Sequence, residues 1–243
     1  LVAEYLNNQY GVNGEVVWAM AGRSRSKLEQ VRDEMGISAD VPLVVADSSN
    51  LDSIKAMVER TAVVCTTVGP YQLYGNELVA TCASAGTDYV DLCGEPGWMH
   101  KMIGAHSAAA EASGARIVFS CGFDSVPFDL GVLFLQQTAE QNLGAAVPRV
   151  RGRVRAMKGT FSGGTLASFR TTMAAAAKDP DLINVLRNPF SLTPGFTGAE
   201  QPKGDKPVFD EVLQSWIAPF VMASINTKNI HRSNQLMDHR YGT

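Results

Sequence analysis

Five clusters of small and polar residues follow apolar runs in the first half of the chain. They are Gly22-Arg23-Ser24, Asp47-Ser48, Thr67-Val68-Gly69, Cys93-Gly94-Glu95 and Cys121-Gly122-Phe123-Asp124. If each run is a parallel strand, every cluster lies at a carboxyl end, where open α/β sheets bind ligands. The chemistry these clusters suit is nucleotide binding. Arg23 stands where the second strand of such a fold meets the adenosine ribose. A carboxylate there accepts from the ribose hydroxyls, whereas a guanidinium clamps a 2′-phosphate and stacks on adenine. Arg23 and Ser24 therefore point to NADP over NAD. Asp47 and Ser48 suit the adenine. Thr67, Val68 and Gly69 suit the pyrophosphate and ribose, because Gly69 lets backbone approach closely and Pro70 fixes the turn.

The pairs Cys93-Gly94 and Cys121-Gly122 are expected to face one crevice beside the nicotinamide. They serve there as small residues, or as a reactive thiol if something lowers its pKa. Tyr71 is the expected proton donor after hydride transfer, and packing against a substrate or lid is the alternative for Tyr71 and Tyr74. His100 and His106 lie six apart and do not share a helix face as i,i+4 ligands would, so no metal is expected.

The elements that must hold these clusters alternate between strand and helix. Helical spacing at Val2, Tyr5 and Leu6 runs to a stop at Gly11. “EVVWAMAG”, “VPLVVADSSN”, “AVVCTTVGPY”, “DYVDLCGE” and “ARIVFSCGFDSVP” read as strands and the turns that end them. Between them, helices are expected from Ser26 to near Gly36, Asp52 to Arg60, Asn76 to Ala85 and Trp98 to Ser113. This alternation over about 125 residues predicts a doubly wound parallel sheet. Its strands are continuous apolar runs, as when helices cover both faces. After residue 128 the pattern changes. “PRVRGRVRAMKG” alternates Arg149, Arg151, Arg153 and Arg155 with Val150, Gly152, Val154 and Ala156. Period two with one wet side predicts a strand of an antiparallel sheet in a second unit. “SGGTLASFRTTMAAAA” reads as a glycine turn entering a helix, and residues 188–207 as a Pro- and Gly-rich loop.

Composition sets outer bounds. The 243 residues are 45% hydrophobic and 19% charged with a net charge of −3, which gives no overall pull toward nucleic acid or acidic membranes. No apolar run approaches the eighteen or so residues of a membrane span. Glu4, Asn7 and Asn8 interrupt any signal-peptide pattern. Four cysteines without C-x-x-C spacing suggest reduced thiols in a cytosolic protein.

“AGRSRSKL”, “CTTVGPYQLYG”, “YVDLCGE”, “SCGFDSVPFDLG”, “SGGT” and “INTKNIHRSNQL” resemble the saccharopine dehydrogenase-like oxidoreductases, and among them the mycobacterial trans-acting enoyl reductases. The resemblance covers essentially the whole chain. It implies a Rossmann domain over 1–130 and a mixed α/β substrate and dimerisation domain over 131–243. The family's reductases work with modular polyketide synthases, reducing an enoyl double bond on a carrier-bound chain with hydride from a nicotinamide cofactor. The implied partners are an acyl or polyketide-type substrate on an acyl carrier protein and a second copy in a homodimer. The implied location is cytoplasmic, with membrane association left open.

The chain departs from the family at both ends. A strand and a G-x-x-G-x-x-G turn normally precede the helix that looks like “LVAEYL”, and the family continues beyond “HRYGT”. The first strand is central in the order 3-2-1-4-5-6. Without it, edge groups would go unpaired at about 1–3 kcal/mol each, more than a domain stable by about 5–15 kcal/mol absorbs. The natural protein is therefore expected to start upstream, and this stretch alone to bind cofactor weakly. Two other readings stay open. One is a saccharopine-type dehydrogenase reducing an amino-acid imine, which needs the arginines of 149–155 to line the cleft. The other is a cofactor-binding or lipid-associated interaction protein without turnover.

Overall fold

The structure, a computed structural model, describes residues 1–12, 14–159 and 162–243. Helix α1 (Val2–Tyr10) closes on Gly11, at φ 62°. Strand β1 (Met20–Gly22) leads into α2 (Arg25–Glu34), whose first turn is capped by Ser24 accepting from Lys27 N. Strand β2 (Leu43–Val45) runs parallel to β1, with Met20 opposite Leu43 and Gly22 opposite Val45. Asn50 caps α3 (Leu51–Val58). Then follow β3 (Val63–Thr66), the single turn α4 (Tyr71–Tyr74), α5 (Asn76–Ala85), β4 (Asp88–Asp91), α6 (Pro96–Ser113) and β5 (Ile117–Val118). Helices α5 and α6 stop at Gly86 and Gly114, both left-handed, where a residue with a Cβ would be strained.

The fold is thus α/β with parallel sheets. Strands β3, β4 and β5 form one parallel ladder in that order, and β1 and β2 form another. Among the described residues the two ladders are not joined. Several strands are shorter than their apolar runs. Of the run at 15–22 only three residues pair, since β2 offers three partners, and Val17 before them is 87% exposed. The expectation that helices cover both sheet faces is met on one face only. Val64, Thr66, Tyr89 and Asp91 are buried, while Val63 and Cys65 on the opposite face of β3 are exposed. The main core joins Val64 and Tyr89 to Ile54 and Val58 of α3, Val79 and Cys82 of α5, and Trp98, Met99 and Ile103 of α6. A second cluster, Met20, Ile37 and Val41, holds the β1–β2 ladder against α2.

The remainder comprises α7 (Val126–Leu143), α8 (Gly163–Ala176), α9 (Pro180–Arg187), β6 (Val208–Asp210), β7 (Ser215–Ile217) and α10 (Ala223–Leu236). An antiparallel sheet is present, but it is the β6–β7 hairpin, and the strand expected at 148–159 is not formed. Period-two alternation makes a strand only where a second ladder accepts its backbone bonds, and this segment pairs with none among the described residues. Arg149, Arg151, Arg153, Val154 and Arg155 are all exposed, so the segment has no dry side. It is held instead at two points. Buried Gln136 donates to Val147 O and accepts from Val147 N at 2.9 and 2.8 Å, and Arg153 pairs with Asp210 at 3.0 Å. Residues 188–207 form the expected loop. No helix among the described residues is long and apolar enough to cross a membrane.

Candidate active site at the carboxyl ends of the parallel strands

At the end of β1, α2 packs tightly on the strand: a Cβ added to Gly22 would lie 3.2 Å from Leu28 Cδ2. Arg23 follows, exposed and without a carboxylate partner among the described residues. Ser24 is occupied as the α2 cap. Asp47 and Ser48 follow β2, half-exposed, at the end beside Arg23. Hydrogen bonds from Ser49 N and Oγ, at 2.9 and 2.7 Å, hold the Asp47 carboxyl below its ordinary range, and the Arg23 charge adds to this.

Beyond β3 the chain turns through Thr67, Val68 and Gly69, all exposed, to a cis Gly69–Pro70 peptide. Tyr71 comes next and is 3% exposed. Its hydroxyl donates to Thr66 O and accepts from Leu92 N, each at 3.3 Å, and its ring lies 5.5 Å from that of Trp98. Burial pushes the phenol well above its ordinary pKa. The residue expected to donate a proton is therefore engaged as a clamp between the ends of β3 and β4.

Strand β4 ends in three alternate buried residues, Asp91, Cys93 and Glu95, each no more than 3% exposed. Asp91 Oδ1 accepts from Cys93 N and Ser120 N at 2.9 and 2.8 Å, and Oδ2 accepts from the Tyr89 hydroxyl at 2.9 Å. Burial outweighs those bonds and raises the carboxyl to about 6. Ser120 sits at φ 60°, an uncommon conformation outside glycine, and its hydroxyl donates to Cys93 O at 2.6 Å. Both cysteine pairs reach neighbouring strand ends, but their thiols lie in different surroundings. Cys93 is sealed at 1% exposure with its sulfur accepting from Glu95 N, whereas Cys121 is exposed. Burial first, and then the Asp91 charge, raises both thiols, so nothing here activates either. Space at Gly122 is tight: a Cβ there would lie 3.2 Å from Leu92 Cβ and 2.8 Å from Asp124 Oδ1.

Two helices from later in the chain close on these ends. Ser168 of α8 donates to Glu95 Oε1 at 2.7 Å. On α10, Ile225 Cδ1 would be 3.5 Å from a Cβ at Gly94, and Asn226 donates to Asp124 O while accepting from Ser125 Oγ. Sequence reasoning missed Asp91, Ser120, Ser168 and Asn226 and left Glu95 without a task. The acidic residues within the apolar run “DYVDLCGE” were the available signal, since carboxylates are seldom fully buried unless other groups hold them.

Over an alignment of 252 residues, taking in 100% of this chain, the sequence is 42% identical to a candidate trans-acting enoyl reductase of Mycobacterium tuberculosis and covers 59% of that protein. Trans-acting enoyl reductases of Mycobacterium ulcerans and Mycobacterium leprae are each 39% identical over 235 residues, 92% of this chain and 56% of theirs. No family model matches the chain. The chain is thus similar along its length to mycobacterial trans-acting enoyl reductases, and it spans less than two thirds of the length of these relatives.

Proposed function

We propose that the chain is part of an NADP-dependent oxidoreductase of the saccharopine dehydrogenase-like type that reduces the double bond of an enoyl thioester. The observation that carries this reading is the likeness, over 92–100% of this chain, to proteins named trans-acting enoyl reductases. In the order 3-2-1-4-5-6, the β2–β1 ladder is strands 3-2 and the β3–β4–β5 ladder is strands 4-5-6, which supports a Rossmann-like sheet.

The residues present fit the cofactor's adenosine end. A guanidinium at the end of β1 that has no carboxylate partner among the described residues, beside Asp47 at the end of β2, suits a 2′-phosphate and the adenine next to it. Arg23 would hold the phosphate, Asp47 and Ser48 the adenine, and the Thr67–Gly69 turn the pyrophosphate and ribose, with Cys93-Gly94 and Cys121-Gly122 nearer the nicotinamide. The bound cofactor supplies hydride to the β-carbon. A proton must then reach the α-carbon, and water at the exposed turn can deliver it without breaking the bonds of Tyr71. Leu166, Phe169 and Met173 give α8 an exposed apolar stripe, and Ser168 on the same helix lies against the turn, an arrangement suited to an acyl chain on a carrier. A homodimer and a cytoplasmic setting belong to the same proposal. The imine-reductase alternative needs a cleft-facing arginine set. The exposure of Arg149, Arg151 and Arg155, and the pairing of Arg153 with Asp210, weigh against it.

The test uses the protein from its complete reading frame, with 2-enoyl pantetheine thioesters and NADPH or NADH, followed by loss of the reduced-nicotinamide absorbance. Oxidation should favour NADPH. Arg23→Ala should weaken NADPH binding by about tenfold to a hundredfold, the worth of one or two charge-assisted hydrogen bonds, and leave NADH nearly unchanged. Tight NADPH binding without oxidation by any enoyl or imine substrate would sink the enzymatic reading.

A further inference from the structure

We infer that Glu95 is a positioning residue that ties helix α8 to α4, directly behind the turn after β3, so that α8 and that turn respond to a ligand as one body. The inference rests on the reading above, in which that turn faces the cofactor. Glu95 is 2% exposed and has no cationic partner among the described residues. Among the described residues its carboxyl oxygens accept from neutral donors in two parts of the chain. Oε1 accepts from Tyr71 N at 2.9 Å and from Ser168 Oγ at 2.7 Å. Oε2 accepts from Gln72 N and Gln72 Nε2, both at 3.0 Å. The same Gln72 amide donates to Thr172 Oγ1 at 3.0 Å. Ser168 and Thr172 are four residues apart, so one face of α8 meets the Glu95–Gln72 pair.

Helix α8 also meets α9, and Ala175 lines a hollow with Trp98 and Leu182, but it buries no apolar face of its own. None of its fourteen residues is buried, and Leu166, Phe169 and Met173 are exposed. A helix normally docks through a buried apolar face, so these polar links carry much of the attachment. Glu95 itself cannot drift. Its N–H is bonded to Cys93 Sγ, and its carbonyl accepts from Trp98 N and Met99 N at the start of α6. The seat is close, because Ser168 Oγ would lie 3.8 Å from a Cβ at Gly69. A glutamine at 95 cannot substitute. Either orientation of its amide sets an N–H₂ group against existing donors, Tyr71 N and Ser168 on one side or Gln72 N and Nε2 on the other.

Hydrogen exchange on the full-length protein tests this, comparing the parent with Ser168→Ala/Thr172→Val, which removes only the α8 side of the link. In the parent, NADPH should slow exchange in both 66–74 and 163–176. In the double variant it should still slow 66–74 but no longer 163–176, an uncoupling that a purely structural Glu95 would not give. Equal protection of both segments in the double variant overturns the inference. If NADPH fails to bind the parent, the proposed function falls separately and the coupling is read without ligand. The Tyr71 and Gln72 amides should then exchange about tenfold faster in the double variant, the weakening expected when the Glu95 side chain loses its Ser168 donor and Gln72 its Thr172 acceptor. Unchanged rates at those amides overturn it too.

Discussion

Asp91→Asn is expected to stabilise the protein at neutral pH relative to its effect in acid. Asp91 is 3% exposed, and burial raises its carboxyl to about 6. Its oxygens divide their work, Oδ1 taking both backbone donors and Oδ2 only the Tyr89 hydroxyl. An asparagine keeps its carbonyl on Cys93 N and Ser120 N and turns its amide to Tyr89, whose hydroxyl rotates to accept. No donor is left facing a donor.

In the unfolded chain the carboxyl has its ordinary pKa of 3.8. Between about pH 4 and pH 6 the folded state therefore binds a proton that the unfolded state has lost, and stability falls by about 1.4 kcal/mol per pH unit. Two units give about 3 kcal/mol, fully present below pH 4 and lost above pH 6. Asparagine does not titrate, so the variant's advantage over the parent should grow by about 3 kcal/mol from pH 4 to pH 7. Asp47, Asp88, Glu140 and Asp210 are held below their ordinary values and lose stabilisation as pH falls, but both proteins share them and they cancel in the difference. Urea unfolding followed by circular dichroism at steps across this range measures it. A difference that stays flat with pH, or shrinks as pH rises, refutes the reasoning.

Tyr71→Phe removes the bonds to Thr66 O and Leu92 N. It should cost about 1–2 kcal/mol in denaturant unfolding while kcat stays within about threefold. A fall in kcat of about a hundredfold or more would return Tyr71 to the role of proton donor. Gly75→Ala tests packing, since its Cβ would lie 2.6 Å from Trp98 Cζ2 and 2.9 Å from Tyr71 O. The expected loss is about 1–3 kcal/mol, seen calorimetrically as a fall of about 2–4 °C per kcal/mol, and an unshifted Tm would mean that Trp98 yields freely.

The order of strands and helices was legible because its signals are local. Ser24 and Asn50 cap the helices that follow them, Gly86 and Gly114 stop theirs, and each bond or backbone angle involved spans a few residues. The positions of Arg23, Asp47 and the Thr67–Gly69 turn at strand ends follow from that order alone. The arginine-alternating segment failed for the opposite reason. Its period-two pattern is local, but a strand exists only through a partner ladder, and no residue in 148–159 states whether one is available. The carboxylates of “DYVDLCGE” pose the same difficulty. Asp91 and Glu95 are visible as acids in an apolar run, yet what they do depends on who donates to them. Ser120 is 29 residues from Asp91, and Tyr71 and Ser168 are 24 and 73 from Glu95. Those separations decide the outcome. Asp91 receives two backbone donors and one hydroxyl, which do not offset its burial, so it keeps a proton into the mildly acidic range. Glu95 receives donors from both α8 and α4, directly behind the turn, and so it becomes the place where a ligand felt at the turn is felt at α8.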